Sequence, residues 1–290
     1  MRDEGGGMKR KYDEPTIHPS SLVLPSKRLG QHFLRDPRTI KRIIEAFAPT
    51  ENETVLEIGP GTGALTAELV LRAARVVAIE FDSKLGPLLK ERFGARSNFK
   101  LVQGDALNTD FCSEISPATS ARLVANLPYN ISTAILQRLI AQRSCLTEMV
   151  VMLQREVVER ILAPAGSSER GFLSVLVEAY CETEKLFDVA PGSFRPPPKV
   201  WSSVMRMTFR PQLPVELKDE ELMWQLVSAG FAQKRKTMLN NLRHASGRLQ
   251  EVIRENGGAS IVLCKAGVDV QRRAETLTVE EWVRISRAME

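Results

Sequence analysis

The chain has 290 residues, a formal net charge of +5 and 26% charged residues. That length can bury the core of one large domain or two smaller ones, and no apolar run is long enough to predict a membrane-spanning helix. The modest positive balance leans towards a nucleic-acid partner, so where the cations cluster matters more than their sum.

Residues 1–26 combine charge, glycine and proline without apolar periodicity and are expected to form a disordered extension. Lys27 to Leu34 reads KRLGQHFL. Asp36-Pro37 then predicts a helix start, with Asp36 as N-cap and Pro37 at the first helical position. Ile40, Ile43, Ile44 and Phe47 continue at helical spacing, and Pro49 closes the segment.

From there strands alternate with helices. Strands are predicted at Thr54 to Ile58, Arg75 to Ile79, Phe99 to Val102, Leu123 to Ala125 and Met149 to Leu153. Helices are predicted at Ala64 to Arg72, Ser83 to Phe93, Thr133 to Ala141, Glu156 to Leu162 and Phe172 to Ala179. Such alternation predicts an α/β fold with a mostly parallel, doubly wound sheet. Lys185 to Val189 and Val204 to Phe209 add a late pair of antiparallel edge strands, with a proline-rich stretch between them. After Arg210 the pattern changes. Pro211 and Pro214 mark a linker, and helices follow at Asp219 to Phe231, Lys236 to Leu242, Leu249 to Glu255 and Val279 to Met289. The expected organisation is an extension over 1–26, an α/β domain over 27–210 and a small all-helical domain over 211–290.

The four cysteines, Cys112, Cys145, Cys181 and Cys264, contain no Cys-x-x-Cys pair. Their spacing excludes zinc and redox motifs, no metal is expected, and reduced thiols in a cytosolic protein are the expectation.

In an open α/β sheet ligands bind at the carboxyl ends of the strands. The first predicted strand ends in Glu57-Ile58-Gly59-Pro60-Gly61-Thr62-Gly63. Glycines there let a ligand approach the backbone, but the G-x-G-x-G spacing differs from the dinucleotide pattern G-x-G-x-x-G. The second strand ends at Glu80, roughly twenty residues on, where an acid can bind both hydroxyls of a ribose. The third ends at Gly104-Asp105, and Asp105 can accept from an adenine amino group. The fourth ends in Asn126-Leu127-Pro128-Tyr129. Pro128 cannot donate to a sheet ladder, so the strand must stop there. The Asn126 side chain and the Leu127 carbonyl can accept from an exocyclic amine, and Tyr129 offers a face on which a flipped purine can stack. Each feature alone is compatible with an ordinary strand-ending turn. Together, at four strand ends in one order, they describe a nucleoside site facing an amine site.

This ordered set resembles the Rossmann-like class I S-adenosylmethionine-dependent methyltransferases. With KRLGQHFL, EIGPGTG, AIEFD, QGDA, NLPYNIS, MLQREVVERI, GSFRPPPKV and QKRKTMLNNL in one order, the chain from Lys27 onward resembles the 16S rRNA adenine N6,N6-dimethyltransferase family of the KsgA type. The resemblance implies S-adenosylmethionine as cofactor, bound at His32, Leu34, Gly59, Gly61, Glu80, Asp105 and Asn126. His32 departs from an asparagine found in some members. It also implies methylation of N6 on two adjacent adenines in the 3′-terminal hairpin loop of 16S rRNA. Asn126, Leu127, Pro128 and Tyr129 would be catalytic, with Phe194 of GSFRPPPKV as a second stacking ring. The small ribosomal subunit would be the partner, and the enzyme a cytoplasmic monomer that uses no membrane.

Lys234-Arg235-Lys236, with Arg243 following, are expected to begin a helix of the second domain and to bind phosphate, as a compact basic cluster does. Arg195 and Lys199 on the proline loop, and Lys27 and Arg28 before the cofactor loop, are expected to border the same cleft. Two other readings compete: a 23S rRNA adenine methyltransferase of the antibiotic-resistance type, and a non-catalytic RNA-binding assembly factor that keeps the fold. A nicotinamide dehydrogenase is disfavoured by the glycine spacing.

Overall fold

The computed structural model describes residues 30–211 and 219–290. The expected disordered extension, Lys27, Arg28 and Pro214 lie outside the described residues. The described residues open on β1 (Phe33–Leu34) and α1 (Pro37–Phe47). Asp36 caps α1 as the sequence predicts, its carboxylate accepting from the Arg38 and Thr39 amides. Then follow β2 (Thr54–Ile58), α2 (Thr66–Leu69), β3 (Arg75–Glu80), α3 (Gly86–Phe93), β4 (Phe99–Gln103), α4 (Phe111–Glu114), β5 (Ala121–Asn126), α5 (Ser132–Ala141), β6 (Leu146–Gln154), α6 (Arg155–Ile161) and α7 (Phe172–Tyr180). The sheet is completed by β7 (Cys181–Val189) and β9 (Ser202–Phe209), with the short β8 (Phe194–Arg195) between them. The helices α8 (Glu220–Gly230), α9 (Met238–Arg243), α10 (Gly247–Glu255), α11 (Ala259–Lys265) and α12 (Val279–Arg287) end the chain.

Among the described residues the main sheet runs β4-β3-β2-β5-β6-β9-β7. The first five strands are parallel, and β9 pairs antiparallel with both β6 and β7. The central strands are nearly continuous apolar runs because helices cover both faces. The late pair is antiparallel as expected, but β9 is interior and β7 is the edge. Exposed Glu182, Glu184 and Lys185 on β7 discourage further pairing there. The chain steps from β2 outward to β3 and β4, then returns to the other side of β2 with β5. The reversal lies between β2 and β5, which is where such sheets hold ligands.

Several predicted elements are corrected. The helix expected over Ala64 to Arg72 shrinks to α2, because Asn98 Nδ2 takes the Val70 and Ala73 carbonyls, at 3.1 and 3.0 Å. The helix expected from Ser83 starts at Gly86, because the Asp82 carboxylate accepts the Lys84 amide and holds a turn first. The sequence pattern predicts no helix where α11 stands. Cys112 and Cys145, 33 residues apart, form a disulfide, which corrects the expectation of four reduced thiols; Cys181 and Cys264 are free. The short α4 and the turn after α5 bring the two together, with the Phe111 amide donating to Gln142 Oε1 at 2.7 Å.

The apolar core forms two clusters. One joins α1, α2 and α3 to one side of the sheet; the other joins α5, α6 and α7 to the opposite side and continues through Leu222, Met223 and Trp282 of the C-terminal helices. The C-terminal helices therefore share a core with the α/β part. A polar knot reinforces the junction: Tyr180 Oη donates to Glu220 at 2.8 Å, and Arg143 pairs with the same carboxylate at 2.6 Å.

Candidate active site

A cavity of about 260 Å³ opens at the carboxyl ends of β2, β3, β4 and β5. Gly59, Gly61, Glu80, Asp105, Asn126, Leu127, Pro128, Tyr129 and His32 all line it, so most of the residues singled out in the sequence meet in one place. Leu34 does not; it is buried on β1 and lines a smaller cavity on the other side of the glycine turn, with Glu57.

The glycine turn is shaped by backbone requirements. Gly59 and Gly61 have φ of 68° and 60°, and a Cβ on Gly61 would lie 3.1 Å from the Phe33 ring. Only glycine holds that conformation without strain. The turn delivers the Gly61 amide to Glu80 Oε2 at 3.0 Å, while Glu80 Oε1 accepts the Asp82 amide at 2.8 Å. Glu80 is buried, and burial raises its pKa above the usual carboxylate value despite these bonds. One lone pair on each oxygen is left after these two bonds. Asp105 is likewise held in place: its two oxygens accept from the Leu107 amide at 2.9 Å and Asn108 Nδ2 at 3.0 Å.

Beside Glu80 lies a second buried acid. Glu57 is 2% exposed, and Thr66 Oγ1 donates to its Oε2 at 2.7 Å. Burial pushes its pKa up to about 8, with the Glu80 charge adding to the rise.

The amine side is built by three separated segments. Asn126 Nδ2 donates to the His32 carbonyl at 3.1 Å, which leaves its Oδ1 as an acceptor. The His32 ring stacks on the Tyr129 ring, centroids 5.6 Å apart, and His32 Nδ1 donates to the Pro196 carbonyl at 2.8 Å. Tyr129 Oη bonds Ser202 Oγ at 2.5 Å, and burial raises its pKa. The segments 32–34 and 194–195 are tied by the β1–β8 pair, in which Leu34 faces Phe194.

Phe194 itself is 4% exposed, packs in the cluster with α1 and β1, and does not line the cavity. Arg195 and Lys199 are exposed on the loop that carries Pro196. Lys234, Arg235 and Lys236 are exposed and have no ion-pair partner among the described residues. They precede α9 and do not begin it, a correction explained by Thr237, whose Oγ1 caps the helix by accepting the Asn240 amide.

Phe81, not among the residues that the sequence singles out, is 58% exposed yet lines the cavity directly after Glu80. Its one signal in the sequence is an aromatic at a strand's ligand end. Ser202 is likewise not singled out, since its pairing with Tyr129 spans 73 residues and has no local signature.

Among the described residues the lining holds two carboxylates, glycine backbone and aromatic rings, and no lysine or arginine. A pyrophosphate would find no cation among them. A cationic sulfonium nucleoside fits, with acids for its hydroxyls and amino group. Fold and site together define a class I methyltransferase.

Comparison with known proteins narrows this. The model of the ribosomal RNA adenine dimethylase family matches residues 25–288. Proteins called ribosomal RNA small subunit methyltransferase A are similar: that of Hahella chejuensis is 39% identical over 90% of this chain and 91% of its own length. That of Pseudomonas aeruginosa is 46% identical over 75% and 81%. Among solved structures, a dimethyladenosine transferase from Plasmodium falciparum superposes with a TM-score of 0.71 at 29% identity, covering 88% of this chain and 96% of that one. The 23S rRNA methyltransferase ErmE gives 0.63 at 26%, covering 89% and 99%. The chain belongs to the ribosomal RNA adenine dimethylase family, and is an S-adenosylmethionine-dependent rRNA adenine methyltransferase.

Proposed function

We propose that the chain methylates N6 of two adjacent adenines in the 3′-terminal hairpin loop of 16S rRNA, giving N6,N6-dimethyladenosines during small-subunit assembly. The observation that carries the chemistry is Asn126, oriented by the His32 carbonyl at the edge of a carboxylate-lined nucleoside cavity. The choice of the small subunit is supported by the names of the relatives at 39% and 46% identity, against 26% for the 23S enzyme.

S-Adenosylmethionine supplies the electrophilic methyl group. Glu80 would accept from its ribose hydroxyls, Asp105 from its adenine amino group, and Phe81 would cover its base. The attacking amine is weakly nucleophilic because its lone pair is delocalised into the purine ring. Asn126 Oδ1 and the Leu127 carbonyl would accept its two N–H groups, so that the lone pair turns out of the ring plane. Pro128 stiffens the turn that presents them. Tyr129 would stack on the flipped base, worth about 1–3 kcal/mol. Alignment does the remaining work, and the proton leaves after transfer. Phe194 could join the stack only by leaving its packed position, so its role here is to anchor the proline loop through the β1–β8 pair.

Lys234, Arg235 and Lys236 would hold phosphates, with Arg195 and Lys199 nearer the cavity through the Pro196–His32 contact. The enzyme would act as a monomer, and a ribosomal substrate supports a cytoplasmic location.

The test is methyl transfer from labelled cofactor to small and large subunits lacking the modification, with the modified nucleotides mapped. Two adjacent dimethyladenines in the small-subunit RNA are expected. Label on large subunits alone would establish the 23S reading. RNA binding without transfer would establish the assembly-factor reading.

A further inference from the structure

Large apolar side chains are exposed at few places among the described residues, and two of them are neighbours: Val200 at 37% and Trp201 at 49%. Trp201 immediately precedes β9. That strand runs antiparallel to β6, and its first residue, Ser202, pairs with Gln154 at the carboxyl end of β6. Trp201 therefore stands at the same edge of the sheet as the cavity. Its carbonyl is fixed by the Arg155 amide at 2.9 Å, while its indole remains half in solvent. The next residue, Ser202, is the hydrogen-bond partner of Tyr129.

The surroundings are basic. Lys199 and Arg195 are exposed and have no ion-pair partner among the described residues. Arg155 lies alongside, paired with Glu159 at 2.7 Å. The nearby carboxylate, Asp188, is already engaged by Lys185 at 2.8 Å and by Ser203. A ring at a charged rim, joined through one backbone step to the ring that faces the target base, suits an unpaired nucleobase on a phosphate backbone.

Resting on the substrate reading above, we propose that Trp201 is a second stacking platform, taking an unstacked base that flanks the target adenine in the RNA loop while Lys199 and Arg195 hold the adjoining phosphates. The occupant is RNA because the patch is cationic and continuous with the cavity wall. Trp201 touches no reacting atom, so it governs affinity and placement of the loop.

The test uses the full chain with S-adenosylhomocysteine and a synthetic RNA hairpin whose loop holds two adjacent adenines. Variants of the RNA carry an abasic site at each flanking nucleotide in turn. Trp201→Ala should bind the intact hairpin about ten-fold more weakly, and Trp201→Phe should retain most of the affinity. One abasic substitution should weaken the wild type by a similar factor and Trp201→Ala by nothing further, because both remove the same contact. Binding should also quench tryptophan fluorescence in the wild type and leave it unchanged in Trp201→Ala, since Trp282 is buried in the helical core and Trp224 packs against Phe172 and Tyr180. Unchanged affinity in Trp201→Ala, with wild-type methylation of the hairpin intact, would overturn this proposal alone. A loss seen on whole subunits but absent on the hairpin would assign the patch to a ribosomal protein and also overturn it. Failure of the wild type to methylate small-subunit RNA would overturn the substrate reading, and this one with it.

Discussion

Replacing Tyr129 by phenylalanine separates the work of its ring from that of its hydroxyl. The hydroxyl bonds Ser202 Oγ at 2.5 Å, and Ser202 is 0% exposed. Tyr129→Phe strands that buried Ser202 hydroxyl, at a cost of about 1–3 kcal/mol in fold stability. The ring remains, so the stacking contribution should persist and transfer should fall only a few-fold. Tyr129→Ala removes the ring and also the surface on which His32 stacks. Loss of about 1–3 kcal/mol of stacking corresponds to a factor of roughly 5–150 in rate, before misorientation is added. Tyr129→Phe combined with Ser202→Ala removes both partners together and should recover most of the lost stability. Urea unfolding measures the first effect. Single-turnover methyl transfer on undermethylated small subunits, at saturating cofactor, measures the second. Equal and severe rate losses in folded Tyr129→Phe and Tyr129→Ala would mean that the hydroxyl acts on the substrate, and the stacking assignment would fall.

Asn126→Ala should depress single-turnover transfer more than RNA binding, and Asn126→Asp should not restore it fully, because a carboxylate would face the His32 carbonyl that now receives the amide donor. Glu80→Ala should weaken cofactor binding by about 1–3 kcal/mol through loss of charged hydrogen bonds, and calorimetry with unchanged affinity in a folded variant would remove Glu80 from the site. Neutralising Lys234, Arg235 and Lys236 together should weaken subunit binding and flatten its salt dependence by up to about one unit of slope per phosphate contact, with cofactor affinity unchanged. Glu57 holds its proton up to about 8 in the fold against an ordinary value of 4.5, so its contribution to stability is present at low pH and is lost as pH rises across that window. Glu57→Gln, which can keep a bond to Thr66, should flatten the fall in unfolding free energy between about pH 5 and pH 8, as measured in urea; an unchanged profile would show that Glu57 ionises normally.

The parts of this architecture that the sequence reveals are those with local causes. The β2, β3 and β5 strands are buried runs, and each ends on glycine, an acid or Asn126 ahead of Pro128, so their ligand ends can be read directly. Asp36 and Pro37 mark the start of α1 in the same way. What stays hidden depends on partners far along the chain. Nothing near Ser202 signals Tyr129, and nothing in the spacing of Cys112 and Cys145 signals their pairing. The two-residue strands β1 and β8 are too short for any period to register, yet their pairing decides that Phe194 faces the core. Helix α2 looks longer in the sequence because the competing donor, Asn98, arrives from 28 residues beyond Val70.

These long-range contacts have one consequence in common. Asn126 is bonded to His32, His32 is stacked on Tyr129 and bonded to Pro196, and Tyr129 is bonded to Ser202. Two of these links, His32 to Pro196 and Tyr129 to Ser202, tie the site to the proline loop and to the start of β9, beside which the exposed Arg195, Lys199 and Trp201 stand. An RNA loop gripped at those outer residues would press on the same wall that orients the Asn126 amide. Because Asn126 has one donor committed to the His32 carbonyl, a small shift of the 32–34 segment would misdirect its acceptor oxygen. Misplacements of about 1 Å are enough to cost a hundred-fold in a reaction that relies on alignment. Substituting His32 by alanine would leave its backbone carbonyl in place but remove the ring contacts to Tyr129 and Pro196. Transfer should then become more sensitive than cofactor binding to the loss, since the acids that hold the cofactor lie on β3 and β4 and are fixed by their own backbone bonds.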